Sequence, residues 1–273
     1  MTVLPLGPFS EALQAVFDSC DQATVACSGG VDSMTLAFAA HRVMGAQVTI
    51  GHAISPAVPV AGTERVKHYA RIEGWNLRIL DAGEFADERY MKNPANRCFF
   101  CKSNLYGTLT KVFHGLQLFS GTNTDDLGDW RPGLKAAENN SVRHPFVEAG
   151  MAKSDVRALA ASFGLAELAD LPSSPCLSSR IETGIRINVE ALKSIDRIEV
   201  SLREQLAAQT IRCRVRKEGV VIELDDVTLD SLSQADQARL VAQVQKEFSH
   251  IPQTQVFFTS YSRGSAVLKE TLV

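Results

Sequence analysis

The feature that most constrains the fold is a glycine-rich turn directly after the first apolar run of the chain. Residues 24–27 are apolar, the sequence Ser-Gly-Gly-Val-Asp-Ser follows at 28–33, and apolar residues then recur at helical spacing. Two glycines allow the backbone to turn tightly and a ligand to approach it closely, and the N-terminus of a following helix directs N–H groups at an anion. The pattern therefore predicts a strand, a phosphate-binding loop and a helix.

The residues of this segment, here called the phosphate loop, suit a pyrophosphate group with a bound metal ion. They are Ser28, Gly29, Gly30, Val31, Asp32 and Ser33. Asp32 can hold a Mg²⁺ ion that bridges phosphates, and the two serine hydroxyls can donate to phosphate oxygens. The Walker pattern and the Rossmann glycine spacing are both absent, which disfavours ordinary P-loop hydrolysis and hydride transfer. A strand-to-helix turn without a ligand is the plainer alternative.

Short apolar runs and helical patterns alternate along the first part of the chain. Beyond the first strand and helix, the patterns predict strands at 48–52, 76–80 and 117–121 and helices at 63–73, 102–113 and 154–163, the last with Ser154 as its N-cap. Strands that alternate with helices predict an α/β fold with a doubly wound parallel sheet.

The pattern changes after a segment rich in serine and proline at residues 170–180. Helices are then predicted at 189–209 and 233–248, and strands at 211–215, 220–224 and 254–259. We expect two domains, one of residues 1–180 that contains the phosphate loop and a small α+β domain of residues 181–273. The small domain is a candidate for substrate binding or oligomerisation.

Charge and hydrophobicity exclude several classes of protein. The 273 residues carry a net charge of −3, so nothing in the overall charge attracts nucleic acid or an anionic membrane. The chain begins without a basic segment and apolar core, and no apolar run approaches the roughly 18 residues that a membrane span requires. We expect a cytoplasmic protein without a membrane partner.

Three of the six cysteines have spacing or surroundings that suggest chemistry. Cys98 and Cys101 form a Cys-x-x-Cys pair, and Cys176 lies in the polar segment 170–180, where a thiol has little packing role. Three thiolates can hold a [4Fe–4S] cluster with one iron open. A zinc site completed by a histidine is the alternative, and spacing does not choose between the metals. The remaining cysteines are expected in the core, and they are Cys20, Cys27 and Cys213.

The phosphate loop resembles the signature of the PP-loop ATP pyrophosphatase superfamily, which has an adenine nucleotide alpha hydrolase-like fold. The whole chain resembles a narrower group, the LarE family of ATP-dependent sulfur transferases, which make the nickel-pincer nucleotide cofactor. The specific segments are Gly-Thr-Asn-Thr-Asp-Asp-Leu-Gly-Asp-Trp-Arg-Pro-Gly-Leu-Lys at 121–135, Lys-Ser-Asp-Val-Arg at 153–157, Cys-Leu-Ser-Ser-Arg at 176–180 and Arg-Cys-Arg at 212–214.

The resemblance implies a reaction and a set of cofactors. ATP with Mg²⁺ would adenylate a carboxylate of a pyridinium dicarboxylate mononucleotide, and sulfur would then replace AMP to give a thiocarboxylate. Cys98, Cys101 and Cys176 place the chain with family members that deliver sulfide through a [4Fe–4S] cluster, so an external sulfide donor is expected. In other members the cysteine at the position of Cys176 is the sulfur source and ends as dehydroalanine. A homo-oligomer is also implied.

Candidate substrate contacts come partly from residue chemistry and partly from the resemblance. The guanidinium forks of Arg180, Arg212 and Arg214 suit a phosphate or carboxylate, and strand alternation puts the last two on one face. A solvated strand face explains two such arginines equally well. Asp129 and Arg131 are candidates by resemblance. Glu223 can bind a metal or orient Arg214.

The nearest rival function is that of an iron–sulfur-dependent tRNA thiolase of the same superfamily. Its substrate would need a basic surface, and the residues that could form a local patch are Arg180, Arg186, Arg212, Arg214, Arg216 and Lys217. The acidic overall balance and the lack of a zinc-ribbon tail make a nucleic-acid partner the less favoured interpretation.

Overall fold

The computed structural model of the chain describes residues 10–128, 132–172, 175–250 and 255–268. Two of the predicted substrate contacts, Asp129 and Arg131, lie outside the described residues. The described chain forms two compact units. The large unit contains residues 10–87 and 96–172, and the small unit contains residues 88–95 and 175–268.

The strands in the described part of the chain are β1 Ala23–Ala26, β2 Val48–Ala53, β3 Asn76–Leu80, β4 Gln117–Ser120, β5 Ile211–Arg216, β6 Gly219–Leu224 and β7 Val256–Ser260. The helices are α1 Ser10–Asp18, α2 Val31–Met44, α3 Val60–Glu73, α4 Glu88–Met91, α5 Arg97–Val112, α6 Pro132–Asn139, α7 Pro145–Glu148, α8 Lys153–Ser162, α9 Ala166–Ala169, α10 Val189–Gln205, α11 Asp226–Ser231 and α12 Gln234–Glu247. Short 3₁₀ helices occur at Gly45–Gln47, Glu84–Ala86, Thr124–Asp126 and Leu177–Arg180.

A four-stranded parallel sheet, in the order β3-β2-β1-β4, forms the centre of the large unit. Val25 of β1 lies in register with Ile50 of β2 and with Phe119 of β4, and all three are fully buried. Burial of each such side chain contributes about 1.5–3 kcal/mol to folding. The predicted α/β class is confirmed.

Helices cover both faces of this sheet, as expected for crossover connections between parallel strands. Val25 and Phe119 join a core that includes residues of α1, α2 and α8. The neighbouring residues Ala26 and Leu118 pack toward a second core formed with α5 and α6. Successive strand residues therefore face opposite layers, which confirms the doubly wound arrangement.

The order of the strands indicates at which edge of the sheet a ligand is expected to bind. The chain proceeds outward from β1 to β2 and β3, and β4 then returns to the other side of β1. In open α/β sheets ligands bind beyond the carboxyl ends of the strands where the order reverses. Here that point lies between β1 and β4, where the phosphate loop and the segment after Ser120 begin.

The small unit contains a three-stranded sheet of order β5-β6-β7, in which β5 and β6 are antiparallel and β6 and β7 are parallel. Residues 88–95 belong to this unit although they precede it by about eighty positions in the chain. Asn93 is fully buried, and its side-chain amide donates to the carbonyl oxygens of Ile181, Glu182 and Ile185. The Tyr90 hydroxyl lies 2.7 Å from the Ser178 hydroxyl.

Several predicted helix ends were wrong. The cysteine pair does not precede its helix, because the Phe99 N–H already donates to the Asn96 carbonyl and α5 begins at Arg97. Ala152, not Ser154, is the N-cap of α8, since the Asp155 carboxylate accepts from the Ala152 N–H at 2.8 Å and extends the first turn. Among the described helices, none combines the length and the apolar character needed to cross a bilayer.

Candidate functional site

The phosphate loop lies between the end of β1 and the first turn of α2, as the sequence predicted. Gly29 has φ of +82°, a conformation that favours glycine. The Ser33 hydroxyl organises the turn, because it accepts from the Ser28 N–H at 3.0 Å and donates to the Gly30 carbonyl at 3.1 Å. The two serine hydroxyls are 3.1 Å apart. The Ser33 side chain is therefore committed to loop shape, and Val31 begins the helix whose free N–H groups face the loop.

Other backbone segments pass very close to this loop. A Cβ atom on Gly29 would lie 2.4 Å from the carbonyl oxygen of Gly62 in α3. A Cβ atom on Gly121, just after β4, would lie 2.8 Å from the carbonyl carbon of Asp32 and from the Ser33 nitrogen. Only glycine fits at either position without movement of the backbone. The glycine-containing turn, the start of α3 and the end of β4 thus form one packed assembly.

Asp32 is the charged centre of this assembly. Both of its carboxylate oxygens accept from the Lys153 ammonium group, at 2.5 and 2.7 Å, and one also accepts from the Asn123 amide at 3.2 Å. The two ionic side chains are 28% and 30% exposed, so water and ligands can reach the pair. One carboxylate with free coordination positions, completed by phosphate oxygens and water, suits a Mg²⁺ ion. The chemistry of Asp32 therefore fits the predicted Mg²⁺ ion, which would take the place of the Lys153 ammonium group beside the carboxylate.

Sequence reasoning missed Lys153 and Asn123 as members of the site. Lys153 is the first residue of α8, and a cation is unfavourable there because the N-terminus of a helix carries partial positive charge. That unfavourable position, and the place of both residues in segments of the family resemblance, were the available signals. Asn123 caps the short helix at Thr124–Asp126 through its side chain, which fixes the amide beside Asp32.

A buried histidine and an arginine support the phosphate loop from behind. The ring of His52 lies between the Cys27 carbonyl, 2.8 Å from Nδ1, and the Thr63 hydroxyl, 3.0 Å from Nε2. Burial lowers the pKa of His52, which keeps the ring neutral. The Arg65 guanidinium donates to the Gly29 carbonyl at 2.6 Å. The sequence offered His52 only as one of several histidines that could complete a zinc site, and it gave no sign of Arg65, because the fold alone brings β2 and α3 to the loop.

The six cysteines all lie in the described chain, and none is in a disulfide. Cys98 is exposed, and Cys101 and Cys176 are half-buried. Cys98 and Cys101 are three residues apart in the first turns of α5, which places them on one side of that helix. Cys176 belongs to the small unit. Within the described residues, no group of three or more His, Cys, Asp or Glu side chains is arranged to hold a metal ion.

Of the three cysteines expected in the core, Cys27 and Cys213 are buried, whereas Cys20 is not fully buried. Burial raises the pKa of the Cys27 thiol to about 11. Burial also raises the pKa of Cys213 well above its ordinary value. Such thiols are poor nucleophiles at neutral pH because the thiolate is scarce. Cys20 is only half-buried, and its pKa is also raised by burial.

Arg180 is fully buried and saturated with protein contacts. Its Nε and one terminal nitrogen donate to the two carboxylate oxygens of Glu199, at 2.9 and 3.1 Å. The other terminal nitrogen donates to the carbonyls of Pro175 and Cys176 and to the Ser179 hydroxyl. Burial lowers the pKa of Arg180, and Glu199, with smaller effects from the thiols of Cys176 and Cys213, raises it above the ordinary value. The predicted role in substrate binding stays a prediction, since this fork already has partners.

Arg214 and Glu223 form a second buried ion pair, at 2.7 Å. Glu223 also accepts from Arg216 at 2.8 Å and from the Ser265 hydroxyl, while Arg214 donates to the carbonyls of Ser179 and Ser262. The prediction that Glu223 orients Arg214 matches these contacts. No contact of the described residues bears on its alternative role as a metal ligand.

Arg212 differs from the other two arginines of this cluster. It is directly opposite Glu223 in the β5–β6 register, yet it donates to the Ile211 carbonyl at 2.7 Å, and its guanidinium carbon lies 5.8 Å from the centre of the Tyr261 ring. Burial, and then the charge of Arg180, lower the pKa of Arg212 below its ordinary value. An anion next to the Arg212 guanidinium would stabilise its positive charge against burial and against the charge of Arg180.

The parallel sheet, with a glycine-containing phosphate loop at its strand-order reversal, defines the class as an α/β protein with a PP-loop-like fold. No family model matches the chain. The sequence is 36% identical to the uncharacterized protein slr1717 of Synechocystis, over 83% of this chain and 88% of that one. A pyridinium-3,5-bisthiocarboxylic acid mononucleotide synthase of Lactiplantibacillus plantarum is 28% identical to this chain, over 80% of this chain and 79% of the synthase. The present chain belongs to the LarE family. The uncharacterized protein MJ0830 of Methanocaldococcus jannaschii is 29% identical, over 74% of this chain and 77% of its own length.

Proposed function

We propose that this protein is an ATP-dependent sulfur transferase of nickel-pincer cofactor biosynthesis. It would adenylate a carboxylate of a pyridinium dicarboxylate mononucleotide and convert that group to a thiocarboxylate. The observation that carries the proposal is the accessible carboxylate of Asp32, which lies beside Lys153 in the first turn of α2. This position is at the point between β1 and β4 where the order of the strands reverses. The synthase among the relatives supports the choice of substrate.

In the first step, a carboxylate oxygen of the substrate would attack the α-phosphorus of ATP, and the bond to the bridging oxygen would break to release pyrophosphate. The N–H groups of residues 29–33 would bind the leaving phosphates, because they lie in the loop and in the first turn of α2. A Mg²⁺ ion held by Asp32 would neutralise charge on the phosphates. Lys153, displaced from Asp32, would then offer its ammonium group to the same phosphates.

In the second step, sulfur would attack the carbonyl carbon of the acyl-adenylate and AMP would leave with the electrons of the broken C–O bond. Cys176 is accessible enough to react, whereas Cys27 and Cys213 are buried with raised pKa values. If Cys176 is itself the sulfur source, a thioester forms first. Loss of the Cα proton then breaks the Cβ–S bond and leaves dehydroalanine.

The favoured sulfur source is a [4Fe–4S] cluster on Cys98, Cys101 and Cys176. The donor set fits this group in its chemistry, since all three are thiols outside disulfides and none is fully buried. When bound, such a cluster supplies an open iron that can carry an exogenous sulfide. Anaerobic purification with iron and sulfide analysis tests the assignment, and we expect about four of each per chain, lost in Cys98→Ala. Zinc in place of iron would contradict it. A metal-free protein whose Cys176 is ~34 Da lighter after turnover would show sacrificial chemistry.

The thiolase alternative keeps only part of its basic patch in the folded protein, where Lys217 is exposed and Arg216 is half-buried and paired with Glu223. Arg180, Arg212 and Arg214 are buried, and Arg186 is paired with Glu88 at 2.7 Å. Phosphates of a tRNA would need exposed cations on a continuous surface.

The adenylation step is tested by pyrophosphate release that depends on the mononucleotide. Asp32→Asn keeps the size of the side chain but removes the negative charge, and we expect release to fall by at least about a hundredfold. Glu64→Gln is the matched control, because Glu64 is an exposed carboxylate of the same unit that pairs with Lys67 at the surface. Equal release from both variants would refute the assignment of Asp32.

A further inference from the structure

The segment that carries Cys176 is held by a polar network of the small unit. Cys176 is in an extended conformation just before the 3₁₀ helix Leu177–Arg180, and its carbonyl accepts from the Ser179 N–H at 2.9 Å. Arg180 closes the turn from the other side, because it donates to the Pro175 carbonyl at 2.6 Å and to the Cys176 carbonyl at 3.3 Å. The backbone on both sides of the Cys176 side chain is therefore attached to one guanidinium.

That guanidinium is in turn fixed by Glu199. Glu199 lies in the middle of α10 and is 2% exposed. Its carboxylate accepts hydrogen bonds from the Arg180 Nε and from the terminal nitrogen that does not contact residues 175 and 176. It also accepts from the Cys213 N–H of β5 and from Arg203. A bidentate pair leaves the fork a single orientation, and α10 and β5 are regular elements that hold the carboxylate still.

The other end of the segment is attached independently. The Glu182 N–H donates to the Val215 carbonyl at 2.9 Å, and Ser178 contacts Tyr90. These contacts follow Cys176 in the chain, so in the described part of the chain the carbonyls of residues 175 and 176 are held by Arg180 and, at Cys176, also by the Ser179 N–H.

We propose that Glu199, acting through Arg180, is a positioning residue that fixes the backbone of Cys176 for sulfur transfer. The sulfur-transfer part rests on the function proposed above. Arg180 then serves the reaction by holding Cys176, rather than by binding substrate.

The main test compares Glu199→Gln with Leu192→Ala. Glutamine keeps the shape and an acceptor for the Cys213 N–H but loses the charge that holds Arg180. Leu192 is fully buried two turns earlier in α10, so its truncation loosens the same helix without removing a polar link to the Cys176 segment. Two quantities are measured: hydrogen exchange of the peptide that contains residues 175–180, and the ratio of thiocarboxylate formed to pyrophosphate released.

We expect Glu199→Gln to speed exchange in this peptide about tenfold, and to lower the product ratio about tenfold, relative to Leu192→Ala. Exchange no faster than in Leu192→Ala would overturn the anchoring by Glu199. Faster exchange with an unchanged product ratio would overturn the positioning role. If the wild type forms no thiocarboxylate, the proposed function fails, and the positioning role fails with it, while the exchange data still judge the anchoring separately.

A second variant covers the case in which Glu199→Gln does not fold because it leaves a buried cation without its carboxylate. Arg180→Met with Glu199→Gln removes both charges together, and such paired replacements are usually tolerated. The amide still accepts from the Cys213 N–H. We expect the same two changes in this double variant, and exchange at the wild-type rate would overturn the proposal.

Discussion

Replacement of Gly29 by alanine tests whether the phosphate loop is shaped by the backbone that packs behind it. The new Cβ would lie 2.4 Å from the Gly62 carbonyl oxygen, whereas ordinary contacts are about 3.5 Å, so the backbone must move by about 1 Å. Overpacking of this kind costs about 1–3 kcal/mol, and a residue with a side chain at φ of +82° costs about 1–2 kcal/mol more. We therefore expect Gly29→Ala to lower the free energy of unfolding by about 2–5 kcal/mol.

The neighbouring Gly30 provides a matched control. Its φ is −82° and ψ is 162°, which any residue adopts, and a Cβ there would meet only the Ser28 hydroxyl, at 3.8 Å. Alanine at such a site restricts the unfolded chain, so Gly30→Ala is expected to be neutral or to stabilise by about 0.4–1 kcal/mol.

The free energy of unfolding of both variants is measured by urea denaturation, with the fluorescence of Trp75 as the signal in a Trp130→Phe background. Trp75 is buried in the core that contains β1 and α2, so its signal reports the unit that carries the loop. The melting temperature should fall by about 2–4 °C for each kcal/mol lost in Gly29→Ala. If the two variants unfold within about 0.5 kcal/mol of each other, the packing of Gly62 against the loop does not determine its shape.

Three further predictions concern other polar contacts of the fold. Lys153→Ala should change the free energy of unfolding by less than about 1 kcal/mol, because the ion pair of Lys153 with Asp32 is partly exposed. The same variant should lower pyrophosphate release about a hundredfold. Urea unfolding and a pyrophosphate assay measure the two effects separately, and retained release would show that Lys153 is not part of the site. Burial lowers the pKa values of His52 and His144, so the unfolded chain binds more protons than the folded chain. The stability that comes from these neutral rings is therefore fully present above pH ~6.5 and is lost as the pH falls below it, by at most about 1.4 kcal/mol per pH unit for each ring. His52→Gln should reduce the difference in unfolding free energy between about pH 7.5 and about pH 5.5, and an unchanged difference would contradict this prediction. Asn93→Ala should lower the free energy of unfolding by about 2–4 kcal/mol, because it removes three hydrogen bonds and places alanine at a φ of +54°. Asn93→Gly should lower it by about 1 kcal/mol less, because glycine tolerates that φ. Equal losses in thermal unfolding would show that the backbone angle costs nothing.

Local patterns predicted the large unit well. The short apolar runs of β1, β2 and β4 reflect strands that are mostly buried, and the largely exposed edge strand β3 was also located over Asn76–Leu80 without error. Helix ends were less predictable, because caps depend on single hydrogen bonds. Asp155 moved the start of α8 by accepting from Ala152, and no periodicity contains that information.

The candidate site divides in the same way. Asp32 was predictable, since a carboxylate just after two glycines at a helix start has few other uses. Lys153 lay in one of the segments of the family resemblance but was given no role, and folding brings it, from 121 positions away, to 2.5 Å from Asp32. Glu199 attracted no attention, because a single glutamate in an amphipathic helix is typical of a solvated face.

The sequence by itself indicated the strands, the longer helices, the phosphate loop and the Cys-x-x-Cys pair, because these depend on residues that are neighbours in the chain. Only the tertiary structure decided which charges meet, apart from the expected pair of Arg214 and Glu223. It joined Arg180 to Glu199 and Lys153 to Asp32. It also placed residues 88–95 in the small unit through Tyr90 and Asn93. The physical reason is that a buried charge or amide is stable only beside its partner, and that partner can come from any part of the chain that folding brings within hydrogen-bonding distance.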